Sequence, residues 1–463
     1  MMEQTHFTSL PSDLLLVIFD WVSPLDIIHL RQTCKLLHEL TVQRSVWASV
    51  YRNTSLFLPP GPHTLHPVSE LERILVRAQR LDENWCLESG APQLKTIREL
   101  TYEQDIRCMR LYRGRYLIVG FRYSFMLYDL ERGSDWDQPI FQHDVEPQMG
   151  LEYRLRRHDS REGFQNDGHP EVGMYFAVFP RKKGHLRSHS IILWKIDPSQ
   201  PVPISQVLSL PVEPSSVTTV VISNDYLVHW YTDDRKDRSF VYHIASKRLY
   251  HFEIPADEQQ SWRPNDFIVL RDQVIAMHLH PRTKFECFAI PKQDETRTDD
   301  IRLERTHCGE WDVPIQEPQA LVYRPPTSST DEAKIVFASL MPLQRTVKLC
   351  LLEVILRQDG TISFNKIAEG NDTSSYFLSA DICHRERFIR ALSFEFSHVQ
   401  PLQSLRLYDI DLNYQDQNGT PKIQERQLQL QSPHDLLGEL AFDGYVGRIC
   451  LGSENKVTVG DFV

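Results

Sequence analysis

The spacing of hydrophobic residues changes along the chain, from helical near the N-terminus to alternating beyond about residue 105. The stretch LPSDLLLVIFDWV, residues 10–22, would be apolar on every side of a helix. The stretch that follows, residues 24–40, carries an apolar stripe at spacings of three and four. We predict one helix in each stretch, the first opened by Ser12 and Asp13 and the second capped by Ser23. The first helix then has a spare apolar face, which packs either on a partner or on the rest of this chain.

A proline-rich connector follows at residues 57–67, where we expect an extended and semi-rigid chain. Ser69 and Glu72 have the spacing of a capping box, and a stripe of apolar residues continues beyond them. The sequence therefore predicts a helix over about 69–84. Its apolar stripe favours a rigid attachment of the N-terminal helices to the large domain, with a flexible tether as the alternative.

From residue 105 the chain alternates between apolar and polar positions in short segments that form seven pairs. The first strands of the pairs lie at 116–121, 174–179, 226–231, 274–279, 334–340, 390–396 and 447–452, and the second strands at 125–130, 192–196, 240–244, 286–290, 348–354, 405–410 and 457–462. Each pair reads as the central hairpin of one propeller blade, so we predict an all-β propeller, seven-bladed, after the α-helical domain.

The last predicted hairpin ends at the C-terminus, so its blade has no outer strand of its own. Residues 94–102, LKTIRELTY, are a candidate for that place, because a strand from the start of the domain would close the ring and protect the open edge.

Composition narrows the range of functions. The chain has 463 residues, of which 41% are hydrophobic and 24% charged, values typical of a soluble globular protein. A net charge of −11 argues against general nucleic-acid binding. Eight scattered cysteines without a CxxC pair favour reduced thiols, and the apolar run at 14–19 is too short to span a membrane. We therefore expect a cytoplasmic or nuclear protein with no nucleic-acid or membrane partner.

Motifs for catalysis or cofactor binding are absent from the sequence. It has no HExxH, no phosphate-binding glycine-rich loop and no G-x-S-x-G elbow. His278 and His280 would lie on one side of a strand at a spacing that could hold a metal, but no third ligand is evident nearby. We predict no cofactor, no metal and no catalytic residue, so the chain is not expected to be an enzyme.

Basic residues concentrate in the tips that join the two strands of each predicted hairpin. These tips hold twelve cations against four acids, although the whole chain has 62 acids and 51 bases. The candidate client-binding residues among them are Arg122, Arg181, Lys182, Lys183, Arg187, Arg235 and Arg282. Such a face would favour an acidic or phosphorylated peptide. The alternative is that the tips are simply solvated, as charged turns usually are.

The N-terminal pattern resembles the F-box family over residues 7–52. The resemblance rests on Leu10-Pro11, Leu14-Leu15, Ile18-Phe19, Pro24-Leu25-Asp26, Leu30, Cys34, Leu37 and Trp47, with Ile27-Ile28 where leucine is commoner. It implies docking on a Skp-family adaptor that joins a cullin-based ubiquitin ligase. By matching position, the implied adaptor contacts are Leu10, Pro11, Leu14, Leu15, Ile18, Leu25, Ile27 and Leu30.

The predicted propeller is similar to the WD-repeat propellers attached to F-box proteins of the fungal type, but it lacks their Gly-His and Trp-Asp signatures. We thus divide the chain into a helical F-box domain at 1–52, a connector at 53–93 and a propeller at 94–463. The resemblance implies a substrate-recognition subunit of an SCF-type ubiquitin ligase. An F-box scaffold outside any ligase and a propeller hydrolase are the alternatives.

Overall fold

The computed structural model of the protein describes residues 10–59, 61–64, 66–85, 92–144, 149–152, 174–182, 190–197, 200, 203–211, 218–223, 226–233, 236–252, 266–270, 273–278, 282–291, 301–313, 315–324, 332–342, 347–369, 376–385, 388–396, 404–415, 421–428 and 439–463.

The N-terminal part of the chain is helical. The described residues form α1 (Ser12–Phe19), α2 (Pro24–Arg31), α3 (Lys35–Thr41), α4 (Arg44–Asn53) and α5 (Val68–Trp85). Helix α1 begins at Ser12 as predicted and ends at Phe19, before the predicted end at about Val22. Asp13 lies in the first turn, where its carboxylate favours the helix dipole.

The predicted second helix is two helices, because the chain leaves the helical path after α2. Ser23 caps α2 as predicted: its hydroxyl accepts a hydrogen bond from the backbone amide of Asp26 at 3.2 Å. The hydroxyl of Thr33 donates to the carbonyl of Leu30 at 2.8 Å, and Cys34 is extended with φ −156° and ψ 163°. Side-chain bonding of this kind competes with helix propagation, so one apolar stripe is divided between α2 and α3.

The core of the helical domain includes residues from α5 as well as from the first four helices. Its buried members are Leu15, Phe19, Ile27, Leu37, Leu40, Val46, Trp47, Ala48, Val50, Tyr51, Leu58, Leu71, Leu75 and Ala78. At its centre the indole of Trp47 donates to the carbonyl of Thr41 at 2.7 Å. About 45 residues rarely build a sufficient core alone, and α5 supplies the missing surface.

The rest of the described chain folds into seven antiparallel sheets, with one short parallel strand added to sheet 3. Strand β1 is Thr96–Thr101; sheet 1 is β2 (Cys108–Tyr112), β3 (Tyr116–Gly120), β4 (Ser124–Asp129) and β5 (Pro139–Asp144); sheet 2 is β6 (Met149–Glu152), β7 (Met174–Lys182), β8 (Ser190–Ile196) and β9 (Ile204–Pro211); sheet 3 is β10 (Thr218–Ser223), β11 (Tyr226–Asp233), β12 (Lys236–His243) and β13 (Arg248–Phe252), joined by β17 (Ile301–Arg302).

Sheet 4 is β14 (Asp266–Leu270), β15 (Gln273–His278), β16 (Thr283–Ala289) and β18 (Arg305–Trp311); sheet 5 is β19 (Gln316–Arg324), β20 (Ala333–Pro342), β21 (Val347–Leu356) and β22 (Ile362–Glu369); sheet 6 is β23 (Tyr376–Arg385), β24 (Phe388–Phe396), β25 (Ser404–Gln415) and β26 (Pro421–Leu428); sheet 7 is β27 (Leu440–Asp443), β28 (Arg448–Gly452) and β29 (Lys456–Asp461), completed by β1. The seven predicted hairpins are the second and third strands of these sheets.

Strand β1 closes the ring by pairing with the last strand of the chain. It runs antiparallel to β29, with Thr96 opposite Asp461 and Thr101 opposite Lys456. The prediction that residues 94–102 supply the missing outer strand is therefore confirmed. Closure by the first strand of the domain leaves sheet 7 with the same four-stranded form as its neighbours.

The core of the large domain lies between neighbouring sheets. Phe125 of sheet 1 packs on Trp194 of sheet 2 with ring centroids 5.5 Å apart. Phe252 and Phe288 join sheets 3 and 4 at 4.8 Å. Four-stranded sheets that pack face to face around a ring are the architecture of a β-propeller.

Candidate partner-binding surfaces

One face of α1 is apolar and exposed. Leu15 and Phe19 point into the helical domain and are fully buried, whereas Leu14 and Val17 are 51% and 57% exposed. Trp21, in the turn after the helix, is 89% exposed. Positions 14, 17 and 21 follow the spacing of a single helix face, so these three side chains form one patch. Half-buried Ile18 lies one helical turn from Leu14, and we call Leu14, Val17, Ile18 and Trp21 the α1 face.

The residues implied as adaptor contacts divide into two groups in the structure. Pro11 and Leu14 are exposed, and Leu10, Ile18, Leu25 and Leu30 are half-buried. Leu15 and Ile27 are fully buried in the domain's own core. Their assignment as adaptor contacts is corrected: these two side chains stabilise the helical domain and have no surface to offer.

Val17 and Trp21 were not among the implied contacts. Neither position is part of the motif that carried the resemblance, so matching to the motif passed over both. The helical spacing from Leu14 was the signal that could have found them.

Helix α5 joins the helical domain to the propeller. Its first half belongs to the core of the helical domain, and Leu81 and Trp85 in its second half pack between sheets 6 and 7. Gly447 has φ +67°, and a Cβ there would lie 2.4 Å from Cδ1 of Leu81. Only glycine lets α5 approach sheet 7 this closely. Helix α5 therefore packs on both the helical domain and the propeller, as the predicted attachment requires.

Further contacts hold α5 and the connector against the helical domain and against the propeller. Together with the packing at Gly447 we call them the α5 interface. The backbone amide of Leu25 donates to Oε1 of Gln79 at 2.9 Å. From the connector, the ring of Phe57 stacks on Tyr445 at 4.9 Å, and the guanidinium of Arg390 lies over Trp85 at 4.0 Å. Glu72, interpreted from sequence as half of a capping box, instead accepts two hydrogen bonds from Arg31.

Few of the predicted client-binding cations have side chains among the residues described. Arg122, between β3 and β4, is exposed with its guanidinium 5.2 Å from the ring centre of Tyr123. Arg282 is exposed and pairs with Asp312 at 3.3 Å. The backbone of Arg181 and Lys182 ends β7, but their side chains, and all of Lys183, Arg187 and Arg235, lie outside the described part of the chain. Clustering of these cations therefore stays a prediction.

Lys284 is one of the twelve cations that the sequence placed in the hairpin tips, and that assignment is wrong because the residue lies on β16. It is buried on β16 with its Nζ 3.5 Å from Oε1 of Glu286. His278 Nε2 donates to the other oxygen of that carboxylate at 3.0 Å, and Arg305 donates to Oε1 at 2.8 Å. Burial alone would raise the pKa of Glu286, but these hydrogen bonds and the charge of Lys284 lower it to about 2.

This buried charge cluster also gives His278 a role inside the fold. The other histidine of the proposed pair, His280, lies outside the described residues. Across the described ranges no three His, Cys, Asp or Glu side chains are placed to hold a metal ion, and none of the helices there is long and apolar enough to span a membrane.

The N-terminal helices, with their buried Trp47 and exposed α1 face, fit a known protein family. Residues 7–53 match the family described as F-box-like. The match ends at the last residue of α4. The chain thus has an F-box-like domain followed by a β-propeller. No curated protein sequence matches it.

Several solved structures are similar to this chain at low identity. Drosophila Plexin A in complex with Semaphorin 1b is 6% identical with a TM-score of 0.46, over 81% of this chain and 88% of that chain. Drosophila Semaphorin 1a, extracellular domains 1-2, is 9% identical with a TM-score of 0.44, over 80% and 88%. YCF48 from Cyanidioschyzon merolae is 11% identical with a TM-score of 0.36, over 80% and 99%. At these TM-scores the likeness supports no inference about this chain.

The F-box-like domain is attached at one end of the propeller strands. Helix α5 contacts Val446, in the turn between β27 and β28, and Glu131, just beyond the end of β4. Arg122 lies in the turn at the opposite end of the β3–β4 hairpin. The turn between β3 and β4 therefore faces away from the F-box-like domain.

Proposed function

We propose that this protein is the substrate-recognition subunit of an SCF-type ubiquitin ligase. The F-box-like domain docks a Skp-family adaptor, and the propeller binds a client protein for ubiquitination. The observation that carries the proposal is the exposed α1 face, an apolar surface inside a domain that matches the F-box-like family.

In this role the chain makes and breaks no bond itself. The adaptor connects it to a cullin scaffold, and the scaffold brings the ubiquitin-charged enzyme close to the bound client. The contribution of this chain is a raised effective concentration of client lysines at that enzyme.

The α5 interface supports such a role, because a rigid receptor holds the client at a fixed distance from the ligase. Tight contacts at Gly447, Phe57 and Trp85 all oppose swinging of the F-box-like domain. The predicted blade number of seven stays part of the proposal, supported by the seven sheets of the described residues.

The client surface in this proposal is the propeller face opposite the F-box-like domain. Arg122 is exposed in the turn between β3 and β4, and Arg282 is exposed just before β16, which supports this choice of surface. We expect an acidic or phosphorylated client segment, which arginine side chains bind through paired hydrogen bonds. Charge reversal at Arg181, Lys182 and Lys183 should weaken client capture. We also expect the protein to act in the cytoplasm, the nucleus or both.

Affinity purification of the full chain, with and without proteasome inhibition, tests the proposed function. We expect a Skp-family adaptor and a cullin under both conditions and client proteins enriched under inhibition. Absence of the adaptor would overturn the proposal. Adaptor without cullin would favour the scaffold alternative over a ligase subunit.

A further inference from the structure

The carboxylate of Asp461 pairs with arginines from three segments that are far apart in the sequence. Arg77 of α5 lies 3.5 Å from Oδ1, Arg98 of β1 lies 3.0 Å from Oδ2, and Arg448 of β28 donates to Oδ1. Thr96 of β1 adds a hydroxyl hydrogen bond to Oδ2 at 3.2 Å. One buried acid therefore connects the connector helix, the closing strand and the last hairpin of the propeller.

Each of the three arginines has a second contact on a different part of the ring. Arg77 donates to the carbonyl of Val446 at 2.7 Å. Arg98 donates to the carbonyl of Leu130, just beyond β4, at 2.9 Å, and Arg448 donates to the carbonyl of Gly114, between β2 and β3. Each guanidinium is thus held by Asp461 and by one backbone carbonyl, and Asp461 is the partner that all three arginines share.

The backbone beside Asp461 connects the same segments. Its carbonyl accepts from the amide of Lys95 at 2.7 Å, next to the start of β1. The carbonyl of Phe462 accepts from the side chain of Asn84, near the end of α5, at 2.6 Å. The C-terminal residues therefore hold α5 on one side and the closing strand on the other.

The charges make the three contacts interdependent. The side chains of Arg77, Arg98 and Arg448 are 17%, 24% and 5% exposed, so water screens their mutual repulsion only in part. Burial, followed by the nearby charge of Arg448, lowers the pKa of Arg77. When one arm leaves Asp461, the positions of the remaining cations must readjust around the same carboxylate.

We propose that Asp461 is a latch that couples closure of the propeller by β1 to attachment of the F-box-like domain through α5. Opening of either arm destabilises the other, because both arms hold the same C-terminal segment in place, through the side chain of Asp461 and through the carbonyls of Asp461 and Phe462. A coupling free energy of this kind acts equally in both directions. Ring closure and domain attachment are then one cooperative event. The latch acts whether or not the chain joins a ligase.

Hydrogen exchange measured by mass spectrometry on the full chain tests this latch. Arg77→Gln breaks the contact of α5 with Asp461, the α5 arm, and changes no residue of β1. Arg98→Gln breaks the contact of β1 with Asp461, the β1 arm, and changes no residue of α5. We expect Arg77→Gln to speed exchange in β1 by about fivefold or more, and Arg98→Gln to do the same in residues 77–85.

Two further variants serve as controls. Glu131→Gln removes the second carboxylate beside Arg77, 3.3 Å away, but leaves Asp461 in place. Because the contact between Arg77 and Asp461 stays, we expect residues 77–85 and β1 both to exchange near the wild-type rate. Arg77→Lys keeps the charge, so β1 should exchange more slowly than in Arg77→Gln.

The latch would be refuted if each arginine variant sped exchange only in its own segment, or if Arg77→Lys and Arg77→Gln loosened β1 equally. Should the glutamine variants fail to fold, native-state exchange of the wild type in rising guanidinium replaces them. A latch requires residues 77–85 and β1 to open with one shared free energy, and two separate values would contradict it.

Discussion

The guanidinium of Arg31 in α2 donates two hydrogen bonds to the carboxylate of Glu72 in α5, at 3.2 and 2.8 Å. Arg31 also donates to the carbonyl of Thr41 at 3.1 Å and lies over the ring of Trp47 at 5.6 Å. Because α5 continues into the propeller, this pair fixes the F-box-like domain to the helix that carries it.

A double-mutant cycle of Arg31→Ala and Glu72→Ala should give a coupling free energy of about 1–3 kcal/mol, since the bond is paired and mostly sheltered from water. The free energy of opening of α2, from native-state hydrogen exchange, is the quantity to measure. Lys35 and Glu39 on α3, which are exposed and 3.7 Å apart, form the control pair. Their coupling should stay below about 0.5 kcal/mol. Equal coupling in both pairs would mean that Arg31 and Glu72 do not fix the two helices together.

Strand β1 offers a matched test of ring closure. Leu100 is buried against sheets 7 and 1, whereas Ile97 on the same strand is 48% exposed. Leu100→Ala should lower the free energy of opening of β1 by about 2–4 kcal/mol, and Ile97→Ala by no more than about 0.5 kcal/mol. Deletion of residues 94–102 should lower the melting temperature of the full chain sharply. Unchanged melting after the deletion would show that β1 does not hold the ring closed.

The buried Glu286 predicts a specific acid sensitivity. Its pKa falls from an ordinary 4.5 to about 2 in the fold, so the unfolded chain takes up the proton first as pH drops. The stabilisation, on the order of 3 kcal/mol, is complete above about pH 5 and is lost progressively between about pH 4.5 and pH 2.

Melting of wild type and Glu286→Gln across this range checks the prediction. The wild type should melt higher at neutral pH, and the difference should shrink as the pH falls toward about 3. Other carboxylates titrate in both proteins and cancel in the comparison. A difference that stays constant with pH would show that ionisation of Glu286 does not stabilise the fold.

The sequence predicted the hairpins because short apolar segments bounded by polar turns mark central strands such as β3 and β28, which are buried along their whole length. It also predicted Ser23 as a cap, which depends only on neighbouring residues. The break between α2 and α3 escaped prediction, since Thr33 and Cys34 interrupt a stripe whose apolar spacing continues unbroken.

Contacts between distant segments could not be predicted from the sequence. Glu72 has a capping spacing, but Arg31 is placed beside it only by the packing of α2 on α5. Lys284 looks like a tip cation in sequence, yet Glu286 makes its burial possible. Leu15 and Ile27 matched the family motif, and only the folded bundle separates such core residues from the surface residues Val17 and Trp21.

The central claim is that the α1 face binds a Skp-family adaptor, and calorimetric titration of the purified full chain with purified adaptor tests it most directly. Leu14→Ala with Ile18→Ala should weaken binding by about a hundredfold or more, because both side chains lie on this face. Val42→Ala, an exposed valine at the end of α3, should bind like the wild type. Hydrogen exchange in the propeller should be the same in all three proteins. No adaptor binding by the wild type, or equal binding by the double variant, would contradict the account.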